Sequence, residues 1–197
     1  MNTPNKLTLG RMIATPIFMA TMLIDFPYHY AVSLVLFALA SLTDMIDGKM
    51  ARKYNLVTDF GKFLDPLADK MLTTAAYLGF MFLYNAKTGS SYGWQMTTIV
   101  FIVLFREFMV SSLRLVTAKS GLVVAANIWG KLKTVSQMVG LVVALFAYTL
   151  ISDFGLSQIE GVCDIIIMVL FWISAVLCVV SGLIYLNECK GYINTSK

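Results

Sequence analysis

Two pairs of aspartates stand close together in the sequence, at spacings that a helix would turn into neighbours. Asp44 and Asp47 are three residues apart, and Asp65 and Asp69 are four residues apart. Residues three or four apart lie on the same face of an α-helix, so each pair is predicted to share a helix face. The first pair ends one apolar segment and the second begins the next. A short connection between them predicts antiparallel neighbouring helices, with four carboxylates converging on one cavity.

Four converging carboxylates would repel one another strongly in a poorly solvated site, so they need a counter-charge. Two divalent cations supply the required positive charge. Oxygen ligands favour a hard ion such as Mg²⁺ or Mn²⁺ over zinc, and a pair of such ions is a recurring device for phosphoryl transfer. The aspartates therefore predict a metal-assisted phosphate site.

Small and basic residues beside the aspartates fit a phosphate site. Gly48 directly follows the first pair and Gly61 precedes the second. Without side chains, both allow a ligand or a facing helix to approach the backbone. Ala51 leaves the same face uncrowded, and Arg52 can donate a two-pronged hydrogen bond to a phosphate. A plainer alternative is that the aspartates only form ion pairs at helix ends, with basic residues of the same stretch. Those basic residues are Arg52, Lys53, Lys62 and Lys70.

The elements that must hold these residues are apolar helices. The chain has 197 residues, of which 58% are hydrophobic, and a mean hydropathy of +0.78. That composition is far from a soluble domain's. Six apolar segments, each about twenty residues long, match the length of a membrane-spanning helix. They cover residues 7–24, 28–45, 64–83, 94–116, 132–151 and 162–186. We therefore predict an all-α integral membrane protein with six transmembrane helices, a short N-terminal juxtamembrane segment and a single domain over residues 1–197.

The basic residues lie almost entirely on one side of the predicted helices. Lys87 is the only lysine or arginine in the odd-numbered turns, and the N-terminal segment, the even-numbered loops, the helix ends and the C-terminal tail hold the others. The positive-inside rule then predicts that both termini and the aspartates are cytoplasmic. This topology accounts for the net charge of +4, so the charge does not indicate a nucleic-acid partner.

The aspartates and their small neighbours form a pattern that resembles the signature of the CDP-alcohol phosphotransferase family. The pattern is Asp44-x-x-Asp47-Gly48-x-x-Ala51-Arg52, then eight residues, then Gly61-x-x-x-Asp65-x-x-x-Asp69. The resemblance implies a six-helix membrane enzyme, usually a homodimer, that transfers a phosphatidyl group from CDP-diacylglycerol to an alcohol and releases CMP. We expect it in the plasma membrane of a bacterium, with the active site at the cytoplasmic face.

The same resemblance implies roles for individual residues. Asp44 and Asp65 would bridge two divalent cations, Mg²⁺ or Mn²⁺. Asp47 would bind the first cation, and Asp69 would bind the second and act as the general base. The residues expected at CDP-diacylglycerol are Asn5, Thr8, Gly48, Ala51, Arg52, Thr58 and Gly61. For the N-terminal stretch NKLT, which contains the first two, an interfacial anchor helix is the alternative.

Two further stretches, GKFLDPLADK and NIWGKLKT, resemble the phosphatidylglycerophosphate synthases within this family, whose acceptor is sn-glycerol 3-phosphate. An anionic acceptor needs cations near the aspartates. The cations predicted to bind its phosphate are Arg106, Arg114, Lys131 and Lys133. The alternatives are membrane anchoring for the two lysines, and a structural ion pair between Arg106 and Glu107.

Two other functions fit parts of the sequence. A sister enzyme that uses inositol phosphate, serine or another alcohol would carry the same aspartate signature. A divalent-cation transporter would use the acidic cluster as its ion site. A transporter is expected to carry polar groups near the membrane midplane and internal repeats, whereas these aspartates lie at helix ends and the sequence has no internal repeat.

Overall fold

The computed structural model describes residues 3–53, 59–87, 91–119 and 128–190, and all regular structure in those ranges is helical. Within these ranges the backbone alone is described at 3–4, 45–53, 59–60, 62–63, 65–66, 69 and 118–119. The long helices are α1 Thr3–Leu23, α2 His29–Lys53, α3 Asp59–Ala86, α4 Tyr92–Lys119, α5 Ile128–Tyr148 and α6 Glu160–Cys189. They follow the six apolar segments in order, so the prediction of an all-α fold is confirmed for the described residues.

Two helical stretches among the described residues, Ile128–Asp153 and Ser157–Cys189, are long and apolar enough to cross a membrane. Helices α1, α3 and α4 carry ionisable residues along their length, such as Arg11, Lys70 and Arg106, which lower their apolar character. Large apolar side chains are nevertheless exposed on every long helix: Ile13, Val35, Phe82, Phe108, Val135 and Leu183. Such faces are typical of contact with lipid. They support membrane association, and the six spans stay a prediction.

Helix α1 packs along both α2 and α3, whereas the described parts of α2 and α3 contact each other only over a short stretch. That α2 and α3 are antiparallel neighbours at the aspartates stays a prediction, because the backbone alone is described for most of the helix ends that carry them; the packing of α1 against both helices was not predicted. Gly79 of α3 permits this approach, since a Cβ there would overlap with Sδ of Met22 on α1. Helices α1 and α2 are linked by the hydroxyls of Thr21 and Ser33, which lie 2.9 Å apart.

An aromatic cluster in the centre of the bundle joins α3, α5 and α6. The ring of Phe80 on α3 lies 5.9 Å from that of Tyr148 and 5.7 Å from that of Phe171, measured between centroids. The ring of Tyr77, also on α3, lies 5.2 Å from that of Phe171. All four side chains are buried, and tilted aromatic pairs of this kind add about 0.5–1.5 kcal/mol beyond their buried area. The cluster therefore fixes α3 against the C-terminal half of the chain.

Lys87, the basic residue that departs from the one-sided charge pattern, is neutralised by two carboxylates near the start of α6. Its Nζ donates to Oε1 of Glu160 at 2.6 Å and to Oδ2 of Asp164 at 3.1 Å. Tyr84 and Tyr148 donate their hydroxyls to Oδ1 of Asp164 at 2.8 Å and 3.0 Å. These paired groups explain why a cation is tolerated at this end of the bundle.

The end of α2 that lies opposite the aspartates is capped by a residue from a distant part of the chain. After α5 the chain forms a π-helical turn, Thr149–Asp153. Oδ2 of Asp153 accepts a hydrogen bond of 2.7 Å from the backbone N–H of Ala31. A carboxylate at a helix N-terminus satisfies an otherwise unpaired N–H and complements the positive end of the helix dipole. This cap fixes α2 against the segment that follows α5.

We predict that Gly140→Ala destabilises the fold, because a Cβ at Gly140 would lie 3.2 Å from Cδ1 of Phe171. That ring is held in the aromatic cluster, so overpacking is expected to cost about 1–3 kcal/mol. Gly161→Ala is the matched control, since nothing lies within 4 Å of a Cβ there. Thermal unfolding in detergent should show a lower Tm for Gly140→Ala only. Equal Tm values for the two variants would contradict the packing of α5 on α6.

Candidate active site

The four aspartates lie on two continuous helices. Helix α2 runs through Asp44 and Asp47, and α3 runs through Asp65 and Asp69, so the helical spacing predicted for each pair is confirmed. The side chains of Asp47, Asp65 and Asp69 lie outside the described set. The convergence of four carboxylates on one cavity therefore stays a prediction. Asp44 is the member of the group whose surroundings the structure defines.

Most residues predicted at CDP-diacylglycerol fall at the junction of α2 and α3. Gly48, Ala51 and Arg52 lie on α2 beyond the first aspartate pair, and their side-chain surroundings are outside the described set. Gly61 is buried near the start of α3. Thr58 lies outside the described residues. The helical placement of Gly48, Ala51, Arg52 and Gly61 agrees with the predicted spacing, and the contacts of the whole group with a donor stay a prediction.

The N-terminal helix reaches the same region. Asn5, Thr8 and Arg11 are all buried and follow one another at three-residue intervals along α1. The guanidinium of Arg11 forms an ion pair with the carboxylate of Asp44 on α2. The side chain of Arg11 is 3% exposed and that of Asp44 is 42% exposed, so the carboxylate keeps an open side. An isolated interfacial anchor helix would not account for these contacts.

The four cations predicted to bind the acceptor line one cavity of about 540 Å³. These are Arg106, Arg114, Lys131 and Lys133, and the cavity also contains Lys70 of α3, which the sequence did not single out. Among the described residues of this lining, Glu107 is the one acidic residue. The part of the lining that the structure describes has five cations and one carboxylate, a formal excess of +4. The cavity is therefore suited to a small anion.

Glu107 is the centre of an ion-pair cluster that joins α3, α4 and α5. Lys133 donates to its Oε1, and Nη1 of Arg106 lies 3.1 Å from the same oxygen. Nζ of Lys70 lies 3.6 Å from Oε2 and also donates to the hydroxyl of Ser111. The side chains of Glu107, Arg106 and Lys133 are 14%, 12% and 8% exposed, so these three charges are shielded from bulk water, whereas Lys70 is partly exposed. A structural ion pair between Arg106 and Glu107 was one alternative, and the pair is present within this larger cluster.

A second, smaller cavity of about 80 Å³ is lined by Asp44 and shares part of its wall with the cationic cavity. Arg11 and Asp44 line it on one side. Lys70, Glu107 and Lys133 line both cavities. The predicted metal ligand and the predicted acceptor cations therefore border one polar region inside an apolar bundle.

Helix α6 contributes Ser181 and Tyr185 to the wall of the cationic cavity. The guanidinium of Arg114 lies 5.7 Å from the ring centroid of Tyr185 on α6. Gly182, one turn earlier, allows the helix to approach α4, since a Cβ there would lie 3.3 Å from Cγ of Arg106 and 3.1 Å from Cε of Met109. Ordinary anchoring at a membrane surface does not account for Lys133, because it is buried and paired with Glu107.

Sequence reasoning missed three residues that the structure brings to this region. Arg11 has a visible signal, because it is an isolated charge in an apolar segment, and such residues are functional candidates by default. Lys70 enters the sequence analysis only in the plainer alternative, as an ion-pair partner of the neighbouring aspartates, and the packing of α3 on α4 brings it to Glu107. Tyr185 lies in a long apolar stretch that carries no local signal.

The donor chemistry of the aspartates fits a divalent cation. Among the described side chains no three histidines, cysteines or acidic residues come together, since three of the four aspartate side chains are outside that set. Asp44 presents a partly exposed carboxylate at the edge of the small cavity. Carboxylate oxygens with access to water are the ligands that Mg²⁺ and Mn²⁺ prefer.

Comparison with known proteins finds relatives over nearly the whole chain. A sequence model of the family described as CDP-alcohol phosphatidyltransferase matches residues 1–180. A Bacillus subtilis protein named CDP-diacylglycerol–glycerol-3-phosphate 3-phosphatidyltransferase is 38% identical over 210 residues, which cover 99% of this chain and 98% of the relative. A Rickettsia bellii protein of the same name is 36% identical, with 97% of each chain covered. A third, from Salmonella typhimurium, is 34% identical, with 96% of each chain covered. These matches confirm the resemblance drawn from the aspartate signature.

We predict that Glu107→Gln destabilises the protein by about 3 kcal/mol, because it leaves several shielded cations without their carboxylate. The amide keeps the size of the side chain, so packing is unchanged. Glu188→Gln makes the same chemical change at an exposed position of α6 and is expected to have little effect. Thermal unfolding of both variants in detergent measures the difference. A Glu107→Gln protein as stable as the Glu188→Gln control would mean that the cluster contributes nothing to stability.

Proposed function

The chain belongs to the CDP-alcohol phosphatidyltransferase family, and from this premise we propose that it transfers the phosphatidyl group of CDP-diacylglycerol to sn-glycerol 3-phosphate. The products are phosphatidylglycerophosphate and CMP. The names of the relatives support both substrates. The observation that carries the proposal is a cavity lined by five cations that shares its wall with the cavity at Asp44.

In this proposal Asp44, Asp47, Asp65 and Asp69 hold two divalent cations, Mg²⁺ or Mn²⁺. When bound, the cations neutralise the pyrophosphate of the donor and withdraw electron density from the phosphorus that reacts. Arg11 supports this arrangement, because its buried guanidinium holds the Asp44 carboxylate from α1. The carboxylate keeps an exposed side on which it can bind a cation.

Asp69 is the proposed general base. It directly precedes Lys70 on α3, and the side chain of Lys70 lines both cavities. A carboxylate oxygen of Asp69 takes the proton of the acceptor hydroxyl while the hydroxyl oxygen bonds to the phosphorus that carries the diacylglycerol. The bond from that phosphorus to the bridging oxygen of CMP breaks, and CMP leaves with the electron pair.

The donor's CDP group is held beside the aspartates in this proposal. Arg52 donates two parallel hydrogen bonds to a phosphate of the donor, and the small residues on α2 and α3 let the nucleotide approach the backbone. The full proposed set is Asn5, Thr8, Gly48, Ala51, Arg52, Thr58 and Gly61. The burial of the first two beside Arg11 supports a role for α1 in this site.

The acceptor phosphate binds in the larger cavity in this proposal. Among the described residues Arg114 and Lys131 line that cavity and form no ion pair, so their charge is available to a substrate. Arg106 and Lys133 face the same space and share Glu107. A phosphate-bearing acceptor uses this positive excess, whereas an acceptor without a phosphate, such as serine, would leave it uncompensated.

The proposed setting is the plasma membrane of a bacterium, with six spans, both termini and the active site on the cytoplasmic side, and residues 1–197 as one domain in a homodimer. Apolar side chains exposed on all six helices support the spans. The charge pattern supports the orientation, since the cationic cavity and Lys87 belong to opposite ends of α3, and Lys87 is neutralised.

We predict that purified protein given CDP-diacylglycerol and Mg²⁺ or Mn²⁺ converts sn-glycerol 3-phosphate, and not free glycerol, serine or inositol phosphate. Mass spectrometry of the lipid product and release of CMP measure the reaction. Asp69→Asn keeps the shape of the side chain and removes the base, so it should abolish nearly all turnover. Preference for another acceptor would refute the acceptor assignment. Near-normal turnover of Asp69→Asn would refute the assignment of Asp69 as the general base.

We predict that Arg114→Ala and Lys131→Ala each lower kcat/KM for sn-glycerol 3-phosphate about ten- to a hundredfold. A charge-assisted hydrogen bond is worth about 1.5–3 kcal/mol, which corresponds to that range. The constants for CDP-diacylglycerol should change little. Lys190→Ala removes an exposed cation just after α6 and serves as the control. If both variants match the control in their acceptor kinetics, the acceptor phosphate does not bind in this cavity.

A further inference from the structure

Tyr185 lines the cationic cavity and has a buried hydroxyl without a hydrogen-bond partner among the described residues. The residue is 4% exposed and lies on α6. A buried tyrosine hydroxyl usually finds a partner, because an unsatisfied polar group in a dry environment is costly. Its position on the wall of a cavity of about 540 Å³ indicates that a bound molecule supplies the missing partner.

The chemistry of the cavity distinguishes this hydroxyl from its neighbours. Lysine and arginine side chains can only donate hydrogen bonds, whereas a tyrosine hydroxyl can also accept one. Glu107, the one acidic side chain among the described residues of the lining, is already engaged by Lys133, Arg106 and Lys70.

The hydroxyls of Thr134 and Ser181 in the same lining already donate to the backbone carbonyls of Gly130 and Cys178. The Tyr185 hydroxyl has no such partner among the described residues, so it is the lining hydroxyl that most needs a hydrogen bond from a ligand.

The ring of Tyr185 connects this hydroxyl to a cation of the proposed phosphate site. The guanidinium of Arg114 lies 5.7 Å from the ring centroid, within range of a cation–π interaction. One residue thus contacts a cation that is expected at the phosphate and carries a group that can bind a hydroxyl. A ligand that has both a phosphate and a hydroxyl matches this pair.

We propose that Tyr185 is a specificity-determining residue whose hydroxyl accepts a hydrogen bond from the acceptor hydroxyl that does not react. This rests on the proposed function, in which sn-glycerol 3-phosphate presents its primary hydroxyl to the donor and keeps the secondary hydroxyl at C2. The four cations proposed for the acceptor, Arg106, Arg114, Lys131 and Lys133, hold the phosphate. Tyr185 selects acceptors that carry the second hydroxyl. An acceptor phosphate without that hydroxyl leaves Tyr185 unsatisfied.

The test compares two acceptors and three proteins. The acceptors are sn-glycerol 3-phosphate and 3-hydroxypropyl phosphate, which lacks only the C2 hydroxyl. The wild-type protein should prefer the first about tenfold in kcat/KM, the effect expected for one lost hydrogen bond. Tyr185→Phe removes the hydroxyl and keeps the ring beneath Arg114, so the preference should fall to about threefold or less. Tyr185→Leu also removes the ring, and should lower the use of both acceptors while the reduced preference stays the same.

Thermal unfolding separates a binding role from a structural one. Removal of a buried hydroxyl without a partner should leave the Tm of Tyr185→Phe equal to or above that of the wild-type protein. An unchanged preference in Tyr185→Phe would overturn the proposal. An equal fall in kcat/KM for both acceptors would also overturn it, because it would mean that the hydroxyl binds the phosphate that both acceptors share. Absence of turnover with either acceptor in the wild-type protein would instead refute the proposed function on which this inference rests.

Discussion

The carboxylate of Glu107 meets three cations inside an apolar bundle, and the arrangement of α3, α4 and α5 around the larger cavity depends on this cluster. In a poorly solvated interior, charges of the same sign repel far more strongly than in water. Lys70, Arg106 and Lys133 can share one space because the carboxylate of Glu107 lies among them. Among the described side chains of the cavity, this one negative charge links three helices and does not balance the positive charge. In the proposed function, the acceptor phosphate binds to that positive excess.

The two ends of the bundle differ in how far their charges are balanced. At one end Lys87 is matched by Glu160 and Asp164, and two tyrosine hydroxyls complete the cluster. At the other end the described cations outnumber the carboxylates around them. A balanced cluster is suited to holding helices together, whereas an unbalanced one carries an electrostatic potential that attracts anions. The imbalance, more than the number of charges, marks the end of the molecule where chemistry is expected.

The sequence was informative where the physical cause is local. Six helices follow from six apolar segments of membrane-spanning length, and the spacing of the aspartates follows from helix geometry. The order of packing was not predictable, because α1 comes to lie against both α2 and α3 through non-local contacts such as that of Met22 with Gly79. The same limit applies to the site. Cations at helix ends could be predicted, whereas Lys70 reaches Glu107 only through the packing of α3 on α4, and the aromatic residue on α6 has no distinguishing neighbours in the sequence.

The cap on α2 and the ion pair of Asp44 fix this helix at two positions, so the number of residues between them determines where Asp44 lies. Asp153 holds Ala31 near one end, and Arg11 holds Asp44 thirteen residues later. Each residue of an α-helix advances the chain by about 1.5 Å and turns it by about 100°. A single insertion or deletion between these two anchors would rotate the aspartate away from Arg11, and the rigid helix offers no loop in which to absorb the error. Evolutionary change in chain length should therefore be excluded from this stretch and confined to the connections between helices.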